Sequence, residues 1–181
     1  MNTTKSMNLF NKVFSIEKAI YQPNLWMKNI LTYDKVNKYI SLNTGIDYNL
    51  LNKLFLESVE QMQIEEWLID TALTLREKWI KIALITDNMD VFNTITIKKH
   101  NLDKVFPLII NSCDYWYIKT EKNWLLFDIA MEKIWEKDIN KTLMIDNSSN
   151  IYNLYTAKWW NCYKYKEYEE FSIWAKENLN I

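Results

Sequence analysis

The sequence predicts an α/β fold in which helices cover both faces of a parallel β-sheet, a Rossmann-like three-layer architecture. Short apolar runs that end in polar residues are typical of buried strands in parallel sheets. Four such runs are KVFSI, KIALITDN, PLIINS and KTLMIDN. From about residue 80 onward, these runs alternate with amphipathic helical segments, which indicates βαβ units. Between the first two runs, residues 24–79 have a helical pattern throughout.

The helical patterns place apolar residues on a 3.6-residue period. Three of them lie in residues 24–79: LWMKNILTYDKVNKYISL, DYNLLNKLFLESVEQM and IEEWLIDTALTLREKW. Asp47, before the second pattern, is a candidate N-cap. VFNTITIKKHN, KNWLLFDIAMEKIWEK and SNIYNLYTAKWW are predicted as helices after the strands. NCYKYK follows as an edge-like strand, and YEEFSIWAKENL as a terminal helix.

Composition limits the class of protein. A chain of 181 residues, 49% of them hydrophobic, suits one domain with a proper core. The net charge of −1 does not favour a nucleic-acid or membrane partner. We expect a cytoplasmic protein, because the sequence has neither a signal peptide nor an apolar run of about 18 residues. Cys113 and Cys162 are expected to be free thiols, and a single histidine, His100, argues against a zinc site.

Glycine and tryptophan have unusual frequencies. The chain contains one glycine, Gly45, where average usage predicts roughly a dozen. This excludes a glycine-rich phosphate loop. The chain also contains nine tryptophans. Abundant Asn, Lys and Ile indicate an AT-rich genome, and such a codon bias reduces glycine but does not spare tryptophan.

Ligands of parallel α/β sheets bind beyond the carboxyl ends of the strands. The polar residues at those ends are therefore the candidates for a site. They are Ser15 and Glu17, Thr86–Asn88, Ser112–Lys119 and Asp146–Asn150.

The order of these segments resembles the haloacid dehalogenase (HAD) superfamily of aspartate-nucleophile phosphatases and dehalogenases. The resemblance extends from about residue 9 to the C-terminus. It implies a HAD-like core of residues 1–21 and 80–181, with a helical cap of residues 22–79 inserted after the first strand. It implies Mg²⁺ as a cofactor if the site still functions; otherwise we expect none.

The resemblance also implies roles for the residues of the first two motifs. Ser15 falls on the nucleophilic aspartate, Glu17 on the general acid/base and Lys18 on a glycine that follows them. Thr86 matches the threonine or serine that holds the phosphoryl group, with Asn88 beside it.

In the third and fourth motifs, Lys119 matches the charge-balancing lysine, and Asp146 matches the first acidic Mg²⁺ ligand. The second acid is replaced by Asn147 or Asn150, according to which family pattern applies. Lys119 is also placed to pair with Asp146 across the site, where the ion pair would stabilise the fold in place of a metal.

These replacements weaken the usual chemistry. A serine hydroxyl is a poor nucleophile unless a base activates it, and Mg²⁺ prefers carboxylate ligands. We therefore predict a protein that has lost the Mg²⁺-dependent phosphatase reaction and binds a protein partner or a small phosphorylated ligand. One alternative is an active hydrolase of a small phosphorylated substrate with atypical motif residues. Another is a partner subunit that uses the cap as its interface.

Other residues near these motifs have two interpretations each. Trp116, in DYWYIK, lies in a loop where the family commonly has smaller residues. It either fills the core or lines the pocket for an aromatic or nucleobase ligand. Cys113 is expected to be inert rather than reactive, and His100 to be a surface or capping residue rather than a catalyst.

Overall fold

The computed structural model describes residues 24–158 and 161–181. The strand predicted over KVFSI lies outside this part of the chain. Three helices come first: α1 (Tyr33–Thr44), α2 (Tyr48–Glu60) and α3 (Glu66–Glu77). They confirm the helical pattern of this region, although the first helix is shorter than predicted.

Capping side chains fix where α1 and α2 begin. The Asp47 carboxylate accepts the Leu50 N–H at 2.9 Å, which confirms Asp47 as the N-cap of α2. Thr32 caps α1 by accepting the Lys35 N–H at 3.4 Å. Because Thr32 takes this role, α1 begins at Tyr33, and the predicted start near Leu25 is wrong. Residues 24–29 form hydrogen-bonded turns instead.

The remaining strands and helices follow the predicted alternation. In chain order they are β1 (Leu84–Thr86), a π-helix (Phe92–Thr96), α4 (Ile97–Lys99), α5 (Leu102–Val105), β2 (Ile109–Asn111), α6 (Ser112–Tyr115), α7 (Leu125–Lys133), a 3₁₀ turn (Ile139–Lys141), β3 (Leu143–Asp146), α8 (Ser149–Thr156), β4 (Asn161–Lys164) and α9 (Tyr168–Leu179).

Within the described residues, the strands form two pairs, β1 with β2 and β3 with β4. β3 and β4 are parallel, with Asp146 opposite Lys164 in register. The Leu84 N–H donates to the Leu108 carbonyl at 2.9 Å, where β1 begins. Parallel strands separated by helices confirm the α/β fold class.

The chain divides into two compact units. Of the described residues, the first unit contains residues 24–63, Thr86–Asp103 and Ile110–Ile118. The second contains Ile64–Ile85, Lys104–Ile109 and residues 119–158 and 161–181. This grouping differs from the predicted core and cap, whose boundaries stay a prediction. No helix among residues 24–158 and 161–181 is long and apolar enough to cross a bilayer.

Each unit has its own buried cluster. In the first unit, Trp26, Val36 and Ile40 are buried, and Phe55 packs against them with its ring centroid 5.5 Å from that of Trp26. In the second unit the buried cluster consists of Trp124, Phe127, Ile151 and Tyr155. Met144 of β3 packs against this second cluster, which anchors the strand that ends at Asp146.

Candidate functional site

Lys119 and Asp146 form an ion pair in the second unit. Lys119 Nζ donates a hydrogen bond to Asp146 Oδ2 at 2.7 Å. The two side chains are 16% and 12% exposed, respectively. The pairing suggested by the sequence is therefore confirmed. A catalytic role for either residue stays a prediction.

The second oxygen of the Asp146 carboxylate is also engaged. Oδ1 accepts the Ser148 backbone N–H at 2.8 Å. Ser148 in turn caps α8, since its hydroxyl accepts the Ile151 N–H at 3.3 Å. Asp146 thus joins the end of β3 to the start of α8. Two hydrogen bonds, one to each oxygen, fix the orientation of its carboxylate.

The fourth-motif residues are a poor match to a Mg²⁺ site. Mg²⁺ demands near-octahedral oxygen coordination, and carboxylates are its usual protein ligands. Asp146 has both carboxylate oxygens in hydrogen bonds, and Asn147 and Asn150 are neutral. In the described part of the chain, no three His, Cys, Asp or Glu side chains lie close enough together to hold a metal ion. The residues present there do not fit Mg²⁺.

Thr86 and Asn88 contact each other in the first unit. Asn88 Nδ2 donates to Thr86 Oγ1 at 3.2 Å. The Asn88 backbone N–H donates to Asn111 Oδ1 and to Ser112 Oγ, at 3.1 Å each. The loop that follows β1 is therefore held by two polar side chains at the end of β2.

Asn111 and Ser112 are fully buried, each 0% exposed. Asn111 Nδ2 donates to Asn93 Oδ1 at 2.9 Å and to the Met89 carbonyl at 3.4 Å. The Ser112 hydroxyl donates to the Met27 carbonyl at 2.7 Å. Buried polar groups need such partners, because an unpaired one is costly. The role of Asn111 was missed by sequence reasoning; the signal was a polar pair ending the apolar run PLII.

Trp116 does not fill the core. It follows α6 in a left-handed conformation, with φ 60° and ψ 17°, and its side chain is 62% exposed. Its proposed role in lining a ligand pocket stays a prediction.

The cysteines are free, as expected. Burial, followed by the negative charge of Asp114, raises the pKa of Cys113 to about 12. Burial and the charge of Asp146 raise the pKa of Cys162 to about 11. The thiolate is the nucleophilic form, so both thiols are inert near neutral pH.

His100 ends α4 as its C-cap, which confirms a capping role. Its Nε2 lies 3.0 Å from the Met62 carbonyl oxygen. This contact is with the backbone and gives no indication of catalysis.

Ser15 and Glu17, the predicted nucleophile and acid/base positions, lie outside the described residues. Their placement stays a prediction. The structure brings Lys119 together with Asp146, and Thr86 together with Asn88. These two pairs lie in different units.

Comparison with known proteins gives a match at the level of structure. No protein-family model matches the sequence, and no curated protein matches it. A structure of a predicted HAD-like family hydrolase from Porphyromonas gingivalis is 15% identical over 99% of this chain and 91% of that chain, with a TM-score of 0.71.

A HAD family enzyme from Bacteroides thetaiotaomicron gives a second likeness. Its aspartate-to-alanine mutant, solved with magnesium and inorganic phosphate, is 17% identical over 92% of this chain and 87% of that chain, with a TM-score of 0.68. The wild-type complex with magnesium and inorganic phosphate covers 85% of this chain and 84% of that chain, at 17% identity and a TM-score of 0.64. At such identities a likeness establishes the fold and not the activity. This chain has the haloacid dehalogenase fold.

Proposed function

We propose that this HAD-fold protein has lost the Mg²⁺-dependent aspartate-nucleophile reaction and acts by binding. One observation carries the proposal. The single acid of the fourth motif, Asp146, has one carboxylate oxygen bonded to Lys119 and the other to the Ser148 amide. Asp146 is at the position that the HAD resemblance assigns to a metal ligand. Its carboxylate is held there by hydrogen bonds within the protein.

The identity of residue 15 supports the same conclusion. Phosphoryl transfer in this fold needs an anionic oxygen in line with the phosphorus, and serine has no carboxylate to supply it. A serine hydroxyl becomes a useful nucleophile only beside a base. The loss of a nucleophile typically costs several orders of magnitude in rate. The nucleophile and the metal site are thus altered together.

The ligand we propose is a small phosphorylated molecule or a protein partner. An anionic phosphate would compete with Asp146 for the Lys119 ammonium group, because charge-assisted hydrogen bonds to phosphate are strong. The net charge of −1 gives no support for nucleic acid or an anionic membrane.

A magnesium titration tests the proposal. We expect no saturable heat when Mg²⁺ is titrated into the protein in an isothermal calorimeter. The variant Asn147→Asp combined with Ser15→Asp restores two carboxylates, and we expect it to bind Mg²⁺ measurably. The control variant Asn153→Asp adds a carboxylate to α8 away from these motif positions. Saturable Mg²⁺ binding by the unmodified protein would contradict the proposal.

An active hydrolase is the second candidate. It is favoured by the structural likeness to an enzyme solved with magnesium and inorganic phosphate. Under this alternative, Lys119 and Asp146 would separate when substrate and metal bind. The titration above distinguishes the two candidates, because only the active enzyme requires Mg²⁺ to bind to the unmodified chain.

A further inference from the structure

Helix α3 ends in a hydrogen-bond pattern that normally contains glycine. The Trp79 N–H donates to the Arg76 carbonyl at 2.8 Å, and the Ile80 N–H donates to the Leu75 carbonyl at 3.0 Å. This pair of bonds is the Schellman motif, whose C′ residue is left-handed and is usually glycine. Here the C′ residue is Trp79, with φ 62°.

Helix α7 ends in the same way. The Trp135 N–H donates to the Glu132 carbonyl and the Glu136 N–H to the Met131 carbonyl, both at 3.0 Å. The C′ residue, Trp135, has φ 57°. A third tryptophan, Trp116, has φ 60° directly after α6. A bulky side chain in this region of φ is an outlier, because its Cβ crowds the backbone.

The side chains at these positions show no packing that would offset this crowding. Trp79 is 94% exposed, Trp135 is 87% exposed and Trp116 is 62% exposed. A large apolar surface left in water contributes nothing through burial. The backbone conformation and the exposure of these residues are those of glycine positions.

Three other tryptophans behave differently. Trp26 is 7% exposed in the core of the first unit. Trp67 stacks on Tyr165 with ring centroids 4.8 Å apart, and Trp174 packs on Tyr163 with ring centroids 4.3 Å apart. None of the three has a positive φ. The side chains of these three tryptophans contribute to the packing of the fold.

The other left-handed residues, except Lys122, follow the usual steric preference. Apart from tryptophans, the described non-glycine residues with positive φ are Asn24, Asn29, Asn101, Lys122, Asn123 and Asn180. Asparagine is the side chain that tolerates this conformation best. Trp124 has φ 77°, like the exposed tryptophans, but it is only 7% exposed, like the packed ones. It therefore belongs to neither group.

The amino-acid composition of the chain suggests which codon encodes these three positions. The chain has one glycine and nine tryptophans. An AT-rich genome disfavours both GGN glycine codons and the UGG tryptophan codon. It favours UGA, which some bacteria read as tryptophan and others as glycine. We infer that positions 79, 116 and 135 are encoded by UGA, and that the source organism inserts glycine there.

The inference changes what a ligand would meet near the third motif. Glycine at position 116 places a small residue three positions before Lys119, as the HAD resemblance implies for this loop. Ligand stacking on an indole at this position would then not occur. The proposed loss of activity is unaffected, because residues 15, 119 and 146 are not tryptophan.

Peptide mass spectrometry of the protein purified from its source organism tests the inference. We expect glycine in the peptides that contain positions 79, 116 and 135, and UGA at these positions in the gene. Tryptophan in these peptides, or UGG codons at these positions, would overturn the inference. Peptides containing positions 26, 67 and 174 show that tryptophan is detected where the fold uses it.

A recombinant series tests the physical part separately. In a host that inserts tryptophan at all these positions, we expect Trp79→Gly and Trp135→Gly to raise the urea midpoint of unfolding, because glycine relieves the crowding at C′. The matched control Trp174→Gly removes a packed side chain and should lower the midpoint. An unchanged or lowered midpoint for both Trp79→Gly and Trp135→Gly would count against the assignment of these positions to glycine.

Discussion

Lys119 Nζ lies 2.7 Å from Asp146 Oδ2, and both side chains are mostly buried. Charges removed from water need a partner, because the unpaired charge is costly. In this protein each of the two motif residues supplies the charge that balances the other. The ion pair thus gives a structural role to residues that the HAD resemblance associates with catalysis.

The pair should contribute to stability more than a surface pair does. We expect Lys119→Met and Asp146→Asn each to destabilise the protein by about 1–3 kcal/mol, somewhat below the cost of breaking a fully buried pair. Asn at position 146 still has an oxygen for the Ser148 N–H. Urea unfolding of the two single variants and the double variant gives the coupling energy as a double-mutant cycle.

Lys166 and Glu170 provide a matched control in the same unit. Their charged atoms lie 3.4 Å apart, but the side chains are 65% and 50% exposed. The same cycle with Lys166→Met and Glu170→Gln should give a coupling of roughly 0.2–1 kcal/mol. Equal coupling energies for the two pairs would contradict the structural role of the Lys119–Asp146 pair.

Asn111 should be sensitive to truncation. Asn111→Ala removes one of the two side-chain acceptors of the Asn88 N–H, and it also removes the donor to Asn93 Oδ1. Residue 111 itself has no solvent access. We expect a loss of about 1–3 kcal/mol in the free energy of unfolding.

The control for Asn111 is Asn43→Ala. Asn43 is exposed and donates one hydrogen bond, to the Tyr39 carbonyl at 2.8 Å. Its truncation should change stability by less than about 0.5 kcal/mol. Chemical denaturation of the two variants measures both values, and a smaller loss for Asn111→Ala than for Asn43→Ala would refute the proposed anchoring of the loop.

Native Cys113 should resist alkylation. Its pKa of about 12 leaves very little thiolate at pH 8. We expect the iodoacetamide reaction of the native protein to rise about tenfold per pH unit up to that pKa, since only the thiolate reacts. Peptide mapping after timed quenching measures modification of Cys113 and Cys162 separately, with the urea-unfolded protein as control. Rapid labelling of native Cys113 at pH 8 would show that its thiol is not buried in the native protein.

The same shift predicts how stability depends on pH. Cys113 has its pKa raised from 9.0 to about 12 in the folded state. Above pH 9 the unfolded chain loses the thiol proton while the folded chain retains it. The contribution of the Cys113 thiol to the free energy of unfolding is therefore fully present below pH 9, and it is lost as the pH rises towards 12. Urea midpoints should fall less steeply over this range in Cys113→Ala than in the unmodified protein.

Much of the fold could be predicted from the sequence, because local pattern and tertiary structure agree. The run KTLMIDN predicted β3, whose last residue is Asp146, and the resemblance predicted that Lys119 lies near it. The helix over VFNTITIKKHN was also predicted correctly. Its central turn, Phe92–Thr96, is π-helical, a detail that apolar periodicity does not report.

Other features depend on contacts that sequence patterns do not contain. Asn111 acts through hydrogen bonds to residues 18 and 23 positions away. The sequence pattern around a polar residue at a strand end is the same whether its side chain faces solvent or a buried amide. Likewise, the left-handed conformation of Trp79 and Trp135 follows from how helices end, whereas tryptophan itself predicts burial. Such residues are recognised only when the backbone is known.

Phosphate release from a generic phosphate ester, in the presence of Mg²⁺ or Mn²⁺, tests the central claim most directly. We predict that the purified protein turns over no faster than its Lys119→Ala and Asp146→Ala variants, as the proposed loss of the reaction requires. A circular dichroism spectrum of each variant would verify that it is folded. Turnover by the unmodified protein that disappears in both folded variants would contradict the account and establish an active phosphatase.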